Sequence, residues 1–174
     1  MPSKSKTKGS SFERDVAAYL SKIYELSFIR VPNSGAYIGG KNTARKETLD
    51  TSQVRSFKGD LIPPEGWVYF NAECKAYKDF PFHQLFSGNV KQLESWIDQC
   101  MTVADPGDFN IIFMKADRKG KYVAVQNDPS NTKLIFSKSF HYGSLNHGTW
   151  TIMDFQSFFE TNSEQVRQLC STAP

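Results

Sequence analysis

Residues 70–80 read FNAECKAYKDF, and WVY at 67–69 extends the same pattern upstream. In a strand, alternate side chains point to opposite faces. Val68, Phe70, Ala72, Cys74 and Ala76 then form one apolar row, and Trp67, Tyr69, Asn71, Glu73, Lys75 and Tyr77 form the other. The alternation predicts a strand over about 68–77, with Glu73 and Lys75 projecting together from the face opposite the apolar row. Taken alone, such a pair is most simply an ion pair on a half-exposed strand. Asp60, thirteen residues upstream in the strand-like FKGDLI, gives the pair a second reading. Two carboxylates brought together by a hairpin make an oxygen-rich site suited to Mg²⁺. The connection decides whether they meet. If PPEG at 63–66 formed a minimal loop, Asp60 would lie near Tyr69, leaving Glu73 on the order of 13 Å away at strand rise. A shared ion therefore requires a wider loop or a bulge, which two consecutive prolines favour.

The flanking sequence alternates helical and extended patterns. In GSSFERDVAAYLSKIYEL, Phe12, Val16, Tyr19, Leu20 and Ile23 recur at helical intervals, and Ser10 with Glu13 has the spacing of a capping box. A helix over about 11–25 follows, then a short strand SFIRV ended by Pro32. Residues 33–56 show no sustained periodicity and are expected to be a long Gly/Thr/Ser-rich loop, of a length that compact domains keep for a function. NVKQLESWIDQCMTVA reads as an amphipathic helix carrying Val90, Leu93, Ile97, Cys100 or Met101, and Ala104 on one face. FNIIFMKA, KYVAVQ, KLIFSK and GTWTIM read as strands, followed by a helix that Asp154 caps and a short further helix near 164–169. The order α-β-β-β-α-β with additions specifies an α/β fold, a sandwich about a central mixed β-sheet flanked by helices.

The chain has 174 residues, 39% of them hydrophobic and 14% aromatic, enough for one core and one domain, at 10–174 behind a flexible basic arm at 1–9. No apolar run approaches a membrane span, and the N-terminus lacks the apolar segment of a signal peptide, so a cytoplasmic protein is expected. Cys74, Cys100 and Cys170 are widely spaced and read as free thiols, and His83, His141 and His147 form no ligand pattern. The net charge of +3 conceals a gradient: residues 1–58 hold eleven basic against five acidic side chains, and the remainder ten against thirteen. Lys4, Lys6 and Lys8 in the arm, Arg14, and Lys41, Arg45, Lys46, Arg55 and Lys58 in and after the loop are candidates for phosphate contacts, with a solvated arm and loop as the alternative.

With these residues in view, Gly59-Asp60 followed by Glu73-Cys74-Lys75 resembles the bipartite PD-(D/E)xK signature of restriction-endonuclease-like nucleases, with Gly59 in place of the signature proline. Glu13 matches the additional acid that many of them carry. KGSSFERDVAAYL, FIRVPNSGA, GDLI and AECKA are similar to Holliday junction resolvases of the archaeal Hjc type, and DFPFHQLFSGNVKQLESWI resembles those of the bacterial RecU type. The likeness covers about residues 8–115. It implies a restriction-endonuclease-like fold and a homodimeric, Mg²⁺-dependent DNA endonuclease, with Mn²⁺ able to substitute, that resolves four-way junctions. It implies no organic cofactor and no membrane. Asp60, Glu73 and the Cys74 carbonyl would hold the ion, with Glu13 contributing directly or through water, and Lys75 would orient or deprotonate the attacking water. Glu13 is equally accounted for as the capping partner of Ser10. Ser34 and Gln92 match positions that orient the site or a phosphate; the alternative for Gln92 is a solvent-facing helix residue. Trp96 or the Phe80, Phe82 and Phe86 cluster could build a dimer face, although core packing explains most of them. Other enzymes with this signature act on duplex DNA as restriction or nicking enzymes, and a non-catalytic basic DNA-binding module also fits the charge. If the chain is viral, its compartment is the host cytoplasm.

Overall fold

A computed structural model describes residues 4–32, 58–129 and 133–171, with side chains from residue 9 onward. The elements are α1 (Lys4–Tyr24), β1 (Ile29–Arg30), β2 (Leu61–Ile62), β3 (Phe70–Tyr77), a 3-10 turn (Phe82–Phe86), α2 (Lys91–Thr102), β4 (Phe109–Ala116), β5 (Gly120–Gln126), β6 (Phe140–Gly143), β7 (Thr149–Asp154) and α3 (Phe155–Cys170). β3-β4-β5-β7-β6 form a mixed sheet in that order, while β1 and β2 pair separately beside it. β3 and β4 are parallel and the remaining pairs antiparallel. A parallel pair needs a crossover, which α2 supplies.

The sheet is covered on both faces, making a three-layer α/β sandwich. On one face α1 and α3 bury Phe12, Val16, Leu20, Phe158, Phe159 and Val166 against Ile111, Phe113, Val123 and Val125. On the other, Leu93, Trp96, Ile97 and Cys100 of α2 pack on Ile112, Met114, Ala124 and Ile152. The near-continuous apolar run of β4 reflects this two-sided burial. Asn71 and Glu73 of the polar row of β3 are likewise buried, while Tyr77 at its end stays exposed: Asn71 is fully enclosed, donating to the Cys100 carbonyl of α2 at 3.0 Å and to Asn110 Oδ1 at 2.6 Å. The half-exposed strand face expected for a bare Glu-x-Lys is therefore not what forms. All three cysteines are free and buried. Among the described residues no helix is long and apolar enough to cross a membrane.

Several boundaries differ from the sequence reading. α1 begins at Lys4, so residues 4–9 of the expected arm are helical, and Ser10 lies inside the helix with no terminus to cap. KLIFSK is not a strand. Leu134 is buried, and the backbone of Ile135 is satisfied by one side chain: its N–H donates to Asn162 Oδ1 at 2.7 Å, and its carbonyl accepts from Asn162 Nδ2 at 2.9 Å. That clamp takes the place of a neighbouring strand, and pairing resumes at β6, which the sequence pattern does not reveal. The two C-terminal helices are one, capped as expected by Asp154, whose carboxylate accepts from the Ser157 N–H at 2.9 Å. Trp96 and Phe80 stack in the core at 5.4 Å between centroids, so of the aromatic residues considered for a dimer face only Phe86 stands largely exposed, at 81%.

Candidate active site

Gly59 sets the geometry. It adopts φ +70°, and a Cβ there would lie 2.2 Å from the Ala72 carbonyl oxygen. Only glycine allows the chain before β2 to approach β3 this closely. The proline of the family signature, fixed near φ −65°, does not fit this backbone. The approach hands Asp60 directly to β3: its N–H donates to the Ala72 carbonyl at 2.8 Å, and its Oδ2 accepts from the Cys74 N–H at 2.8 Å. Its own carbonyl accepts from Val31 N–H at 2.9 Å, tying the other side to β1. The wider connection that a shared site requires is present, because residues 63–69 separate β2 from β3 and carry Asp60 opposite 72–74 instead of Tyr69.

Glu73 stands beside it, only 4% exposed. Lys75 Nζ donates to Glu73 Oε1 at 2.6 Å and to Gln99 Oε1 at 2.7 Å, and Gln99 Nε2 donates to Glu73 Oε1 at 2.7 Å. The three side chains close a ring that fixes the ammonium. Burial first and the neighbouring Asp60 charge second raise the Glu73 carboxyl, and against the opposing pull of Lys75 it comes to about 8. Burial raises the Cys74 thiol as well, with Asp60, Glu73 and Glu13 adding to the effect, so Cys74 is held as a neutral thiol and offers its carbonyl.

This donor set fits a hard divalent cation. Two buried carboxylates in mutual contact have one ammonium to balance them, and the cost appears in the raised Glu73 carboxyl; a cation between them would remove it. Among the described residues no three His, Cys, Asp or Glu side chains gather around one point, so a cation here would meet two side-chain carboxylates, Asp60 and Glu73. Mg²⁺ is commonly held by one or two carboxylates while keeping several waters.

The remaining candidates are distributed differently. Glu13 is buried on α1 near Cys74, but its carboxylate is taken by the Arg30 guanidinium of β1, a partner the sequence reading did not identify. Gln92 lies half-buried in the first turn of α2, outside the Lys75 ring. Gln99, seven residues on and therefore on the same side of the helix, is the residue that reaches the site. The heptad spacing of the two glutamines is the available signal; choosing between them requires knowing where α2 crosses β3. Lys58 is corrected most clearly. It is 4% exposed and paired with Asp105 at 3.0 Å and with the buried Asp108, so it anchors the segment entering the site and is not a surface phosphate contact. Arg14 is exposed on α1. Ser34, Lys41, Arg45, Lys46 and Arg55, and the side chains of Lys4, Lys6 and Lys8, lie outside the described residues.

The family described as "Phage putative PDDEXK endonuclease" matches residues 4–168. No curated protein and no solved structure matches the chain significantly. The matched span includes every element from α1 nearly to the end of α3, and with it the acid pair, Lys75 and Gln99, so the chain belongs to this family of phage PDDEXK endonucleases.

Proposed function

We propose that the chain hydrolyses DNA phosphodiesters at the Asp60–Glu73–Lys75 site with a divalent cation, Mg²⁺ foremost and Mn²⁺ in its place. We further propose that its substrate is branched DNA, cut as a homodimer acting on four-way junctions in the host cytoplasm. The observation that carries the chemistry is the buried Asp60–Glu73 pair beside a lysine whose ammonium is held at two points. The junction preference rests on the likeness of the 8–115 segment to resolvases.

A divalent cation held by Asp60 and Glu73 would supply Lewis acidity toward a phosphoryl oxygen and a more acidic water. The chain supplies the rest. Asp60 and Glu73 would hold it with the Cys74 carbonyl, Asp60 being fixed in place by the Cys74 N–H. An ammonium has three donors, and Lys75 spends two on Glu73 and Gln99, which leaves the third for a water or a phosphate oxygen. Placed there, it orients the attacking water and offsets negative charge developing on the phosphorus oxygens. Two copies related by a two-fold axis would present two such sites to the two strands of a junction.

The substrate test compares a labelled four-way junction with a linear duplex of matched sequence in Mg²⁺. Paired nicks near the branch point, with the linear duplex much less cut, are expected. Equal cutting of both would leave the nuclease and remove the junction preference, in favour of a nicking or restriction-like enzyme on duplex DNA.

A further inference from the structure

The turn joining β4 to β5 carries the sequence KADRKGK, residues 115–121. Lys115 and Lys121 face each other directly across the β4–β5 pair, and Lys115 also lies beside Ala76 of β3. Arg118, Lys119 and Lys121 are exposed, as is Lys78 at the end of β3. Among the described residues Lys119 has a carboxylate partner, Asp79 at 2.5 Å, whereas Lys78, Lys115, Arg118 and Lys121 have none within ion-pair distance.

Two features of the turn work against stability. Like charges directly opposite one another on a sheet repel. Arg118 has φ +61°, a left-handed conformation that an arginine adopts at a cost. Both place cations where a bound polyanion would offset the expense. The turn is also fixed relative to the site: the Asp117 N–H donates to the Tyr77 carbonyl at 3.0 Å, two residues beyond Lys75. With strands about 5 Å apart, Lys115 and Lys121 lie one and two strand spacings from β3. Lys115 and Lys121 share the face of Ala76, opposite Glu73 and Lys75, and a row of cations there has the chemistry to follow consecutive phosphates.

We propose that this turn is a docking surface for double-stranded DNA, with Lys115, Arg118 and Lys121 contacting backbone phosphates. The proposal rests on the nuclease reading for its register to the site, though not for the binding itself. Such contacts position the duplex without reading its sequence.

The test measures binding of a short labelled duplex across a salt series without divalent metal. It uses the full chain carrying Glu73→Gln, alone and combined with Lys115→Ala, Arg118→Ala and Lys121→Ala. Each lost phosphate contact lowers the slope of log affinity against log salt by about 0.9. The combined variant is therefore expected to lose two to three units of slope and to bind at least about tenfold more weakly, while the exposed Lys133→Ala leaves both unchanged. Lys121→Ala alone should lower the slope by about one, and it decides the matter if the combined variant unfolds. Unchanged affinity and slope in a folded variant would overturn the proposal. In the wild type with Mg²⁺, absence of cleavage beside a reduced slope in the variants would remove the nuclease reading and leave the surface standing. Cleavage beside an unchanged slope would do the reverse.

Discussion

Glu73 is where burial and chemistry meet. Its carboxyl, raised to about 8, is protonated across most of the neutral range when no cation is present. The folded state then binds a proton that the unfolded chain, near the ordinary glutamate value, has already released. Stability from this group is complete below about pH 4.5 and is lost as pH rises through about 8. Metal-free protein should accordingly melt at progressively lower temperature across that window, and Glu73→Gln should flatten the trend, as followed by thermal unfolding in EDTA. Protons and cation compete for the same oxygens, so the Mg²⁺ concentration for half-maximal cleavage should fall as pH rises toward about 8. A metal requirement independent of pH would count against the shared site. Gln99 is the second residue whose role is specific. Gln99→Ala frees the Lys75 ammonium and removes a donor from Glu73, and loss of such an outer partner typically costs 10–100-fold in activity or metal affinity. Gln92→Ala, one helical face but two turns away, should stay near the wild type in the same assay. The sequence showed two glutamines in register and gave no way to tell which turn of α2 lies over Lys75.

Among the elements, the segment before β2 matters more than its two strand residues suggest. Gly59 lets Asp60 reach β3, and Lys58 fastens the preceding residue to Asp105 and Asp108. Gly59→Ala would set a Cβ against the Ala72 carbonyl and strain a left-handed backbone, a strain alone worth roughly 1–2 kcal/mol. Cleavage should collapse and metal affinity should fall, because Asp60 is displaced from the Cys74 N–H; metal titration of a variant that still folds separates this from unfolding. A variant with wild-type activity would show that the contact is dispensable. The alternation in β3 and the period of α2 made those elements legible, since two-sided burial still leaves residues at fixed intervals. The strand at KLIFSK was not legible as a loop, because apolar residues buried by the Asn162 clamp look like strand residues until a partner is sought. The capping box at Ser10 was illegible for a related reason: the local pattern was right, but the helix continues past it to Lys4.

At the scale of the whole molecule, the sandwich and the order of most of its elements were readable because β3 and the helices carry their own periods and β4 its apolar run, whereas β6 carries no such pattern. Pairwise facts were not: Glu13 with Arg30, Lys58 with its two aspartates, and Gln99 with Lys75 join residues 17 to 50 positions apart, and only the fold decides such neighbours. The fold brings the parallel pair β3 and β4, the close approach of Asp60 and the crossover helix α2 to one place, where two carboxylates, a lysine and a glutamine converge. We propose this convergence as a cation-dependent nuclease site. It is tested most directly by incubating labelled DNA with wild-type protein and with Glu73→Gln, each in Mg²⁺ and in EDTA. Cleavage by the wild type in Mg²⁺ alone, with Glu73→Gln at background, is the predicted result; cleavage that survives EDTA or the Glu73→Gln substitution would contradict it.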